Sequence, residues 1–179
     1  MQKVHTDVVD YINLIELKEG LTLAQFKPIE PFDVLHVEVE GEKSVLVSAD
    51  YSGVIMWNTT DKYVYNWKIK MATPLYLTSG GFGNAIAIAK DAITVTGIDT
   101  KLGLVNREAK LPGRALGKPY YFGSLYYIPV EGSLIAIDNE LKVQKRYALT
   151  ALKGDFTTMV MRDYIYLIGS DTVIKLSQF

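Results

Sequence analysis

The chain has 179 residues, 49% of them hydrophobic, which is enough for one compact domain with its own core. Its 19 Lys and Arg residues nearly balance 20 Asp and Glu residues, so a net charge of −1 gives no overall positive field for nucleic acid or an anionic membrane. The sequence has no cysteine, which excludes disulfides, thiolate metal sites and cysteine nucleophiles.

The N-terminal residues do not have the pattern of a signal peptide. Charged residues such as Lys3, Asp7 and Glu16 interrupt every apolar stretch there. No apolar run in the sequence approaches the roughly 18 residues of a membrane-spanning helix. We therefore expect a cytoplasmic protein with neither a membrane nor a nucleic acid as its partner.

A strand-like motif recurs along the chain, with a turn, an apolar strand and, in most copies, a polar residue at its end. The end positions are Leu17, Asn58, Asp99, Asp138 and Ser177. They are 41, 41, 39 and 39 residues apart. A period of this length that holds four short strands is typical of a β-propeller blade.

Three further strands are predicted around each copy of the motif from short apolar or alternating blocks. First strands are predicted at 34–39, 75–77, 120–122 and 157–161, and second strands at 45–47, 85–88, 125–128 and 164–167. Nine residues past the first four end positions come Phe26, Trp67, Glu108 and Tyr147. We expect the three aromatic residues to pack on fourth strands, between neighbouring sheets.

These elements predict an all-β fold, a small β-propeller of four blades, with five blades as the alternative. A β-sandwich is also built from short strands, but it gives no reason for a repeat of four strands. The chain is expected to be a single domain, 1–179, with units at about 1–32, 33–72, 73–113, 114–152 and 153–179. The first unit lacks a first strand and the last has only three strands, so segment 21–27 is expected to pair with 172–178 and close the ring.

Segment 48–58, with the sequence SADYSGVIMWN, is followed by Asp61, Lys62 and Trp67. This pattern resembles a repeat of the quinoprotein-like or WD40-like propellers, in which a turn Asp and Gly precede the third strand and a Trp lies on the fourth. The resemblance implies the propeller fold and no cofactor.

No residue pattern points to catalysis, a cofactor or a metal ion. His5 and His36, the two histidines, stand far apart, and neither has a partner at metal-ligand spacing. The stretch Gly80-Gly81-Phe82-Gly83 is followed by a predicted strand and not by a helix, so it is interpreted as a tight turn and not a phosphate loop. We expect the protein not to be an enzyme.

The candidate binding residues lie in turns that precede third strands and in one basic connection. Each of these turns carries an acidic residue, and equivalent blades would place the acids on one rim, although an Asp in a tight turn can also simply bond its own backbone. Basic residues near 107–118 offer a docking patch for an acidic partner. The candidate rim consists of Asp50, Tyr51, Asp91, Glu131, Asp171, Arg114 and Lys118.

The function predicted from these features is a non-enzymatic binding or scaffold protein that engages another protein through one propeller face. One alternative is a lectin-like module that holds a sugar at each blade boundary. Another is a hydrolase or lyase at the central channel, where carboxylates from different blades would have to converge.

Overall fold

The structure is a computed structural model that describes residues 65–177, apart from 73, 82 and 151. Before residue 65 it describes five strands, at 12–15, 22–26, 36–39, 44–49 and 53–58. The described part contains seventeen strands, and all of its ladders are antiparallel. In this part of the chain, no helix has the length and apolar character needed to cross a membrane.

The strands form five sheets in chain order, each a meander of consecutive strands. Sheet I is β1 (Ile12–Ile15) and β2 (Thr22–Phe26), and sheet II is β3 (His36–Val39), β4 (Ser44–Ala49), β5 (Gly53–Asn58) and β6 (Tyr65–Ile69). Sheet III is β7 (Tyr76–Gly81), β8 (Asn84–Ile88), β9 (Thr94–Asp99) and β10 (Leu104–Lys110). Sheet IV is β11 (Tyr120–Phe122), β12 (Leu125–Val130), β13 (Ser133–Ile137) and β14 (Val143–Ala148), and sheet V is β15 (Thr157–Met161), β16 (Tyr164–Ile168) and β17 (Val173–Ser177).

Sheets II to V stack face to face, and three apolar cores fill the spaces between them. The period-two alternation of a strand explains this arrangement, because successive side chains point to opposite faces. In β8, Ala85 packs into the core shared with sheet II, and Ile86 packs into the core shared with sheet IV. In β12, Tyr126 faces sheet III and Tyr127 faces sheet V. Both faces of a middle sheet are therefore buried.

The polar residue that marks the repeat has a structural role in the turn after the third strand. Asp99 Oδ1 accepts hydrogen bonds from the backbone N–H groups of Lys101 and Leu102, each at 2.9 Å. Asp138 Oδ1 accepts from the N–H groups of Glu140 and Lys142 at 2.8 and 2.9 Å. A short carboxylate in this position fixes the hairpin to the fourth strand, which explains its recurrence.

The predicted docking of Trp67 between sheets is found in the structure. The ring is partly buried and packs against the core between sheets II and III. Its Nε1 donates a 2.8 Å hydrogen bond to the carbonyl of Thr100, in the hairpin of sheet III that follows Asp99. Tyr147 packs in the same way against the core between sheets IV and V. The side chain of Phe26 lies outside the described residues.

The predicted closure of the ring is not confirmed. In the described strands, β2 forms its ladder with β1 and β17 forms its ladder with β16, and no ladder joins the two ends of the chain. Sheets II, III and IV have four strands each, whereas sheet V has three and sheet I has two. The all-β fold and the four-stranded unit are confirmed, and the number of blades stays a prediction.

Candidate binding face and inner cavity

Three of the predicted rim residues lie in equivalent hairpins, each joining the second and third strand of its sheet. Asp91 lies between β8 and β9, Glu131 between β12 and β13, and Asp171 between β16 and β17. Because antiparallel strands alternate in direction, these hairpins lie at the opposite end of the sheets from the turns at Asp99 and Asp138. Asp50 and Tyr51, between β4 and β5, lie outside the described residues. We call the side that carries these hairpins the binding face.

The connection between sheets III and IV, residues 111–119, crosses the binding face and is held there by backbone hydrogen bonds. Ala115 N–H donates to the carbonyl of Ala92 at 2.6 Å, in the hairpin of sheet III. Glu131 N–H, in the hairpin of sheet IV, donates to the carbonyl of Arg114 at 3.0 Å. This fixed connection brings Arg114 beside Glu131 and carries Lys118 toward the first strands.

The carboxylate of Asp91 is used in its own turn. Its Oδ1 accepts from the N–H groups of Ile93 and Thr94, both at 2.8 Å, and its Oδ2 accepts from Thr94 Oγ1 at 2.6 Å. The hydroxyl and N–H groups of Thr94, then the N–H of Ile93, hold the pKa of Asp91 well below its ordinary range. Lys110 Nζ lies 3.6 Å from Oδ2. The structure therefore shows the Asp91 carboxylate stabilising its own turn. An acidic rim that attracts cations stays a prediction.

The carboxylates of Asp91 and Asp138, in turns at opposite ends of the sheets, make the stability of the fold depend on pH. Desolvation raises the pKa of Asp138, but hydrogen bonds from Lys142, Gln144 and Glu140 outweigh it and lower the pKa overall. The pKa of Asp91 is also lowered. Groups with a lowered pKa stabilise the fold fully above the pKa of the unfolded chain, about 4 for Asp, and lose that contribution as the pH falls further.

We therefore expect the urea midpoint of unfolding to fall between about pH 6 and about pH 3. An Asp138→Asn variant should be less stable at the higher pH, since the charge-assisted hydrogen bonds are lost, but its midpoint should fall less over the same interval. Equal losses in the variant and the wild type would show that Asp138 is not part of the acid response.

A cavity of about 500 Å³ lies among the first strands β7, β11 and β15. These strands are neighbours in space, although they come from three different sheets. The cavity, called the inner cavity below, is close to the binding face because it is lined by the ends of β11 and β15 nearest that face. Lys118 is the charged residue of its lining, and the hydroxyl groups come from Thr78, Ser79, Tyr120, Tyr121, Thr157 and Thr158.

Two of the threonines that line the inner cavity differ in how their hydroxyl groups are placed. Thr78 Oγ1 donates a 3.2 Å hydrogen bond to the carbonyl of Pro119, which ties the connection at Lys118 to sheet III. Thr158 is only 4% exposed, and its Oγ1 has no hydrogen-bond partner among the described atoms. Because this oxygen is also inaccessible to a water molecule, it lies behind the cavity wall and does not face the cavity.

Sequence reasoning named Lys118 as a candidate, and this residue lines the inner cavity, but it did not name the threonines that line the cavity with it. A Thr in an alternating strand has no distinctive spacing, since the partner residues come from strands about 40 residues away in the chain. Once four-stranded units are assigned, the signal that could have found them is the run of hydroxyl residues on each first strand. These are Thr78 and Ser79, then Tyr120 and Tyr121, then Thr157 and Thr158.

Two solved structures share this architecture. The crystal structure of BamB from Moraxella catarrhalis superposes with a TM-score of 0.70 at 17% identity, covering 94% of this chain and 60% of that chain. The structure of apo AztD from Citrobacter koseri superposes with a TM-score of 0.63 at 13% identity, covering 93% of this chain and 53% of that chain. No family model matches the sequence, and no curated protein is similar to it.

The likeness in structure, at this low identity, establishes a propeller-like fold. The chain spans between half and two thirds of the length of each of these two proteins. Its sheets therefore superpose on part of each of these longer proteins.

Proposed function

We propose that the protein is a non-enzymatic binding protein that engages another protein through its binding face, with an acidic segment of the partner entering the inner cavity. The observation that supports this most directly is the cavity itself, whose lining combines several hydroxyl-bearing residues, among them the exposed Thr157, with Lys118 as the charged residue. A carboxylate would accept hydrogen bonds from the hydroxyl groups and pair with the Lys118 ammonium.

The positive charges that an acidic partner would meet are those of Arg114 and Lys118, with the acidic residues Glu131 beside Arg114 and Asp155 close to Tyr76. Arg114 and Lys118 belong to the same fixed connection. The nearby Asp91 carboxylate already accepts three hydrogen bonds in its own turn and lies near Lys110. A fixed backbone also lowers the ordering cost of binding, because the site needs little rearrangement. In this proposal the resemblance to quinoprotein-like or WD40-like repeats supports the propeller fold and implies no cofactor.

The first test is site-specific photo-crosslinking to a poly-glutamate peptide, which serves as the acidic probe. A photoreactive residue replacing Arg114, on the binding face, should crosslink to the probe. The same residue replacing Lys142, in the turn at the opposite end of the sheets, should not. Equal crosslinking from both positions, or none from position 114, would contradict the proposed face.

The second test separates the cavity from general charge attraction. Thr157→Val removes an exposed hydroxyl of the lining while keeping the side-chain volume, and Lys118→Gln removes the ammonium. Lys118→Gln should weaken poly-glutamate binding about tenfold or more and lower its salt dependence, because a charge-assisted contact is lost. Thr157→Val should weaken binding by a smaller factor without changing the salt dependence. Lys142→Gln, the matched control on the opposite side, should leave the affinity near that of the wild type.

A further inference from the structure

The inner cavity has apolar walls as well as hydroxyl groups and one charged side chain. Tyr121 of β11 lines it together with Pro119 and Met159. The Tyr121 side chain is half-buried, and Met159 on β15 is exposed. Tyrosine and methionine are side chains that protein interfaces use to hold apolar groups. The lining therefore offers an apolar contact in the same cavity as the Lys118 ammonium.

The Tyr121 ring is held in place from behind. Its centroid lies 4.8 Å from that of Tyr126, with an angle of 53° between the two rings. Tyr126 is fully buried in the core between sheets III and IV. Gly80 in β7 lies against the same pair, since a Cβ atom there would stand 3.1 Å from Tyr121 Cε2 and would also meet the Tyr126 hydroxyl. A ring fixed in this way loses little freedom when a ligand packs on it.

The charge and the ring are carried by one short, fixed stretch of chain. Lys118 and Tyr121 are three residues apart, so their backbones are separated by at most about 11 Å. Between them, the Pro119 carbonyl accepts the 3.2 Å hydrogen bond from Thr78 Oγ1. Tyr121 itself pairs with Tyr126 in the ladder of β11 and β12. An extended segment could therefore meet both groups with residues no more than about three positions apart.

The size and the charge of the cavity both call for more than a lone carboxylate. A volume of about 500 Å³ lies in the range of about 300 to 1,000 Å³ of pockets that enclose largely apolar ligands. The acidic residues Glu131, beside Arg114, and Asp155, close to Tyr76, offset part of the positive charge nearby. Exposed ion pairs are also weak and screened by salt. An apolar contact would supply affinity that the charge alone does not.

We infer that the inner cavity recognises an acidic residue together with an aromatic residue within about three positions of it in the partner segment. The inference rests on the proposed function, because it specifies the segment that the cavity receives. Lys118 meets the carboxylate, and the exposed part of the Tyr121 ring meets the aromatic side chain. Two aromatic rings in an offset or tilted arrangement attract each other beyond the effect of the buried area.

The test compares two twelve-residue peptides of equal charge on the full 179-residue chain. In both peptides, two of every three residues are glutamate. The third is phenylalanine in one peptide and serine in the other. The phenylalanine peptide should bind about fivefold or more tightly than the serine peptide at the same salt concentration. Lys118→Gln should weaken the binding of both peptides by the same factor, because the charge contact is common to them.

Variants of β11 locate the aromatic contact. Tyr121→Leu should remove most of the preference for phenylalanine, whereas Tyr121→Phe, which keeps the ring, should retain it. Phe122→Leu is the matched control, since Phe122 is an exposed aromatic residue on the same strand and is not part of the cavity lining. It should leave the preference unchanged. Circular dichroism checks that each variant keeps its β-sheet.

A measurement on the wild type needs no variant. A benzophenone group in place of phenylalanine in the peptide should crosslink to Met159 or to residues 118–121, as mapped by mass spectrometry. Crosslinks elsewhere, or equal affinity of the two peptides with a clear loss in Lys118→Gln, would overturn the inference and leave the proposed function standing. If neither peptide binds, the proposed function fails and the inference fails with it.

Discussion

Replacing Gly117 with alanine is expected to destabilise the fold by about 3 kcal/mol or more. A Cβ atom at Gly117 would lie 1.8 Å from the backbone carbonyl oxygen of Phe156. This obstacle is main chain and cannot rotate away. The contact also sits beside a 2.7 Å hydrogen bond from Phe156 N–H to the carbonyl of Leu116, which ties the connection on the binding face to the segment before sheet V.

Gly113→Ala is the matched control, since it lies in the same connection. Neither glycine has a left-handed φ, so the backbone conformation penalises neither alanine. A Cβ at Gly113 would lie 3.2 Å from the carbonyl oxygen of Glu131, which needs only a small shift. Urea unfolding of both variants should therefore show a much lower midpoint for Gly117→Ala. Similar midpoints would mean that the connection moves away from Phe156 at little cost.

The repeat pattern predicted the described strands closely, and the reason is physical. The strands predicted at 120–122 and 157–161 coincide with β11 and β15, because period-two alternation and turn residues are local signals. The end position at Asp138 was found as a spacing mark, and the structure adds its cause, the hydrogen bonds that fix the following turn. The same turn hydrogen bonds therefore recur in successive sheets, which is why their residues recur in the sequence.

The inner cavity and the closure of the ring were harder to predict, because both depend on which distant strands become neighbours. Thr78 and Thr158 are 80 residues apart, and nothing in either strand indicates that one cavity will contain both. The acidic turn residues show a different limit. Asp91 has the predicted place in its hairpin, but its carboxylate bonds Thr94 and Ile93, a choice that the residue type alone leaves open.

The second large effect is expected where Trp67 meets sheet III. Trp67→Ala should lower the free energy of unfolding by about 3 kcal/mol, through loss of the ring packing and of the hydrogen bond to Thr100. This value is at the lower end of the range for replacing a large aromatic residue with alanine, because the ring is only partly buried. The ring lies directly on Gly103, where a Cβ would be 2.3 Å from Trp67 Cγ and 2.6 Å from its Cβ. Gly103 also has a left-handed φ of 68°, which favours glycine.

Gly103→Ala therefore combines a backbone penalty of about 1 to 2 kcal/mol with a clash against the root of the Trp67 side chain. Gly123→Ala isolates the backbone penalty, since Gly123 has a φ of 57° and open space where its Cβ would stand. A Trp67→Ala background removes Cγ and the ring but keeps the Cβ atom 2.6 Å away, so Gly103→Ala should then cost less than it does in the wild type and still more than Gly123→Ala. A double-mutant cycle from urea unfolding measures this coupling. Additive effects of Trp67→Ala and Gly103→Ala would show that the indole ring does not lie against Gly103, and that sheets II and III meet in another way.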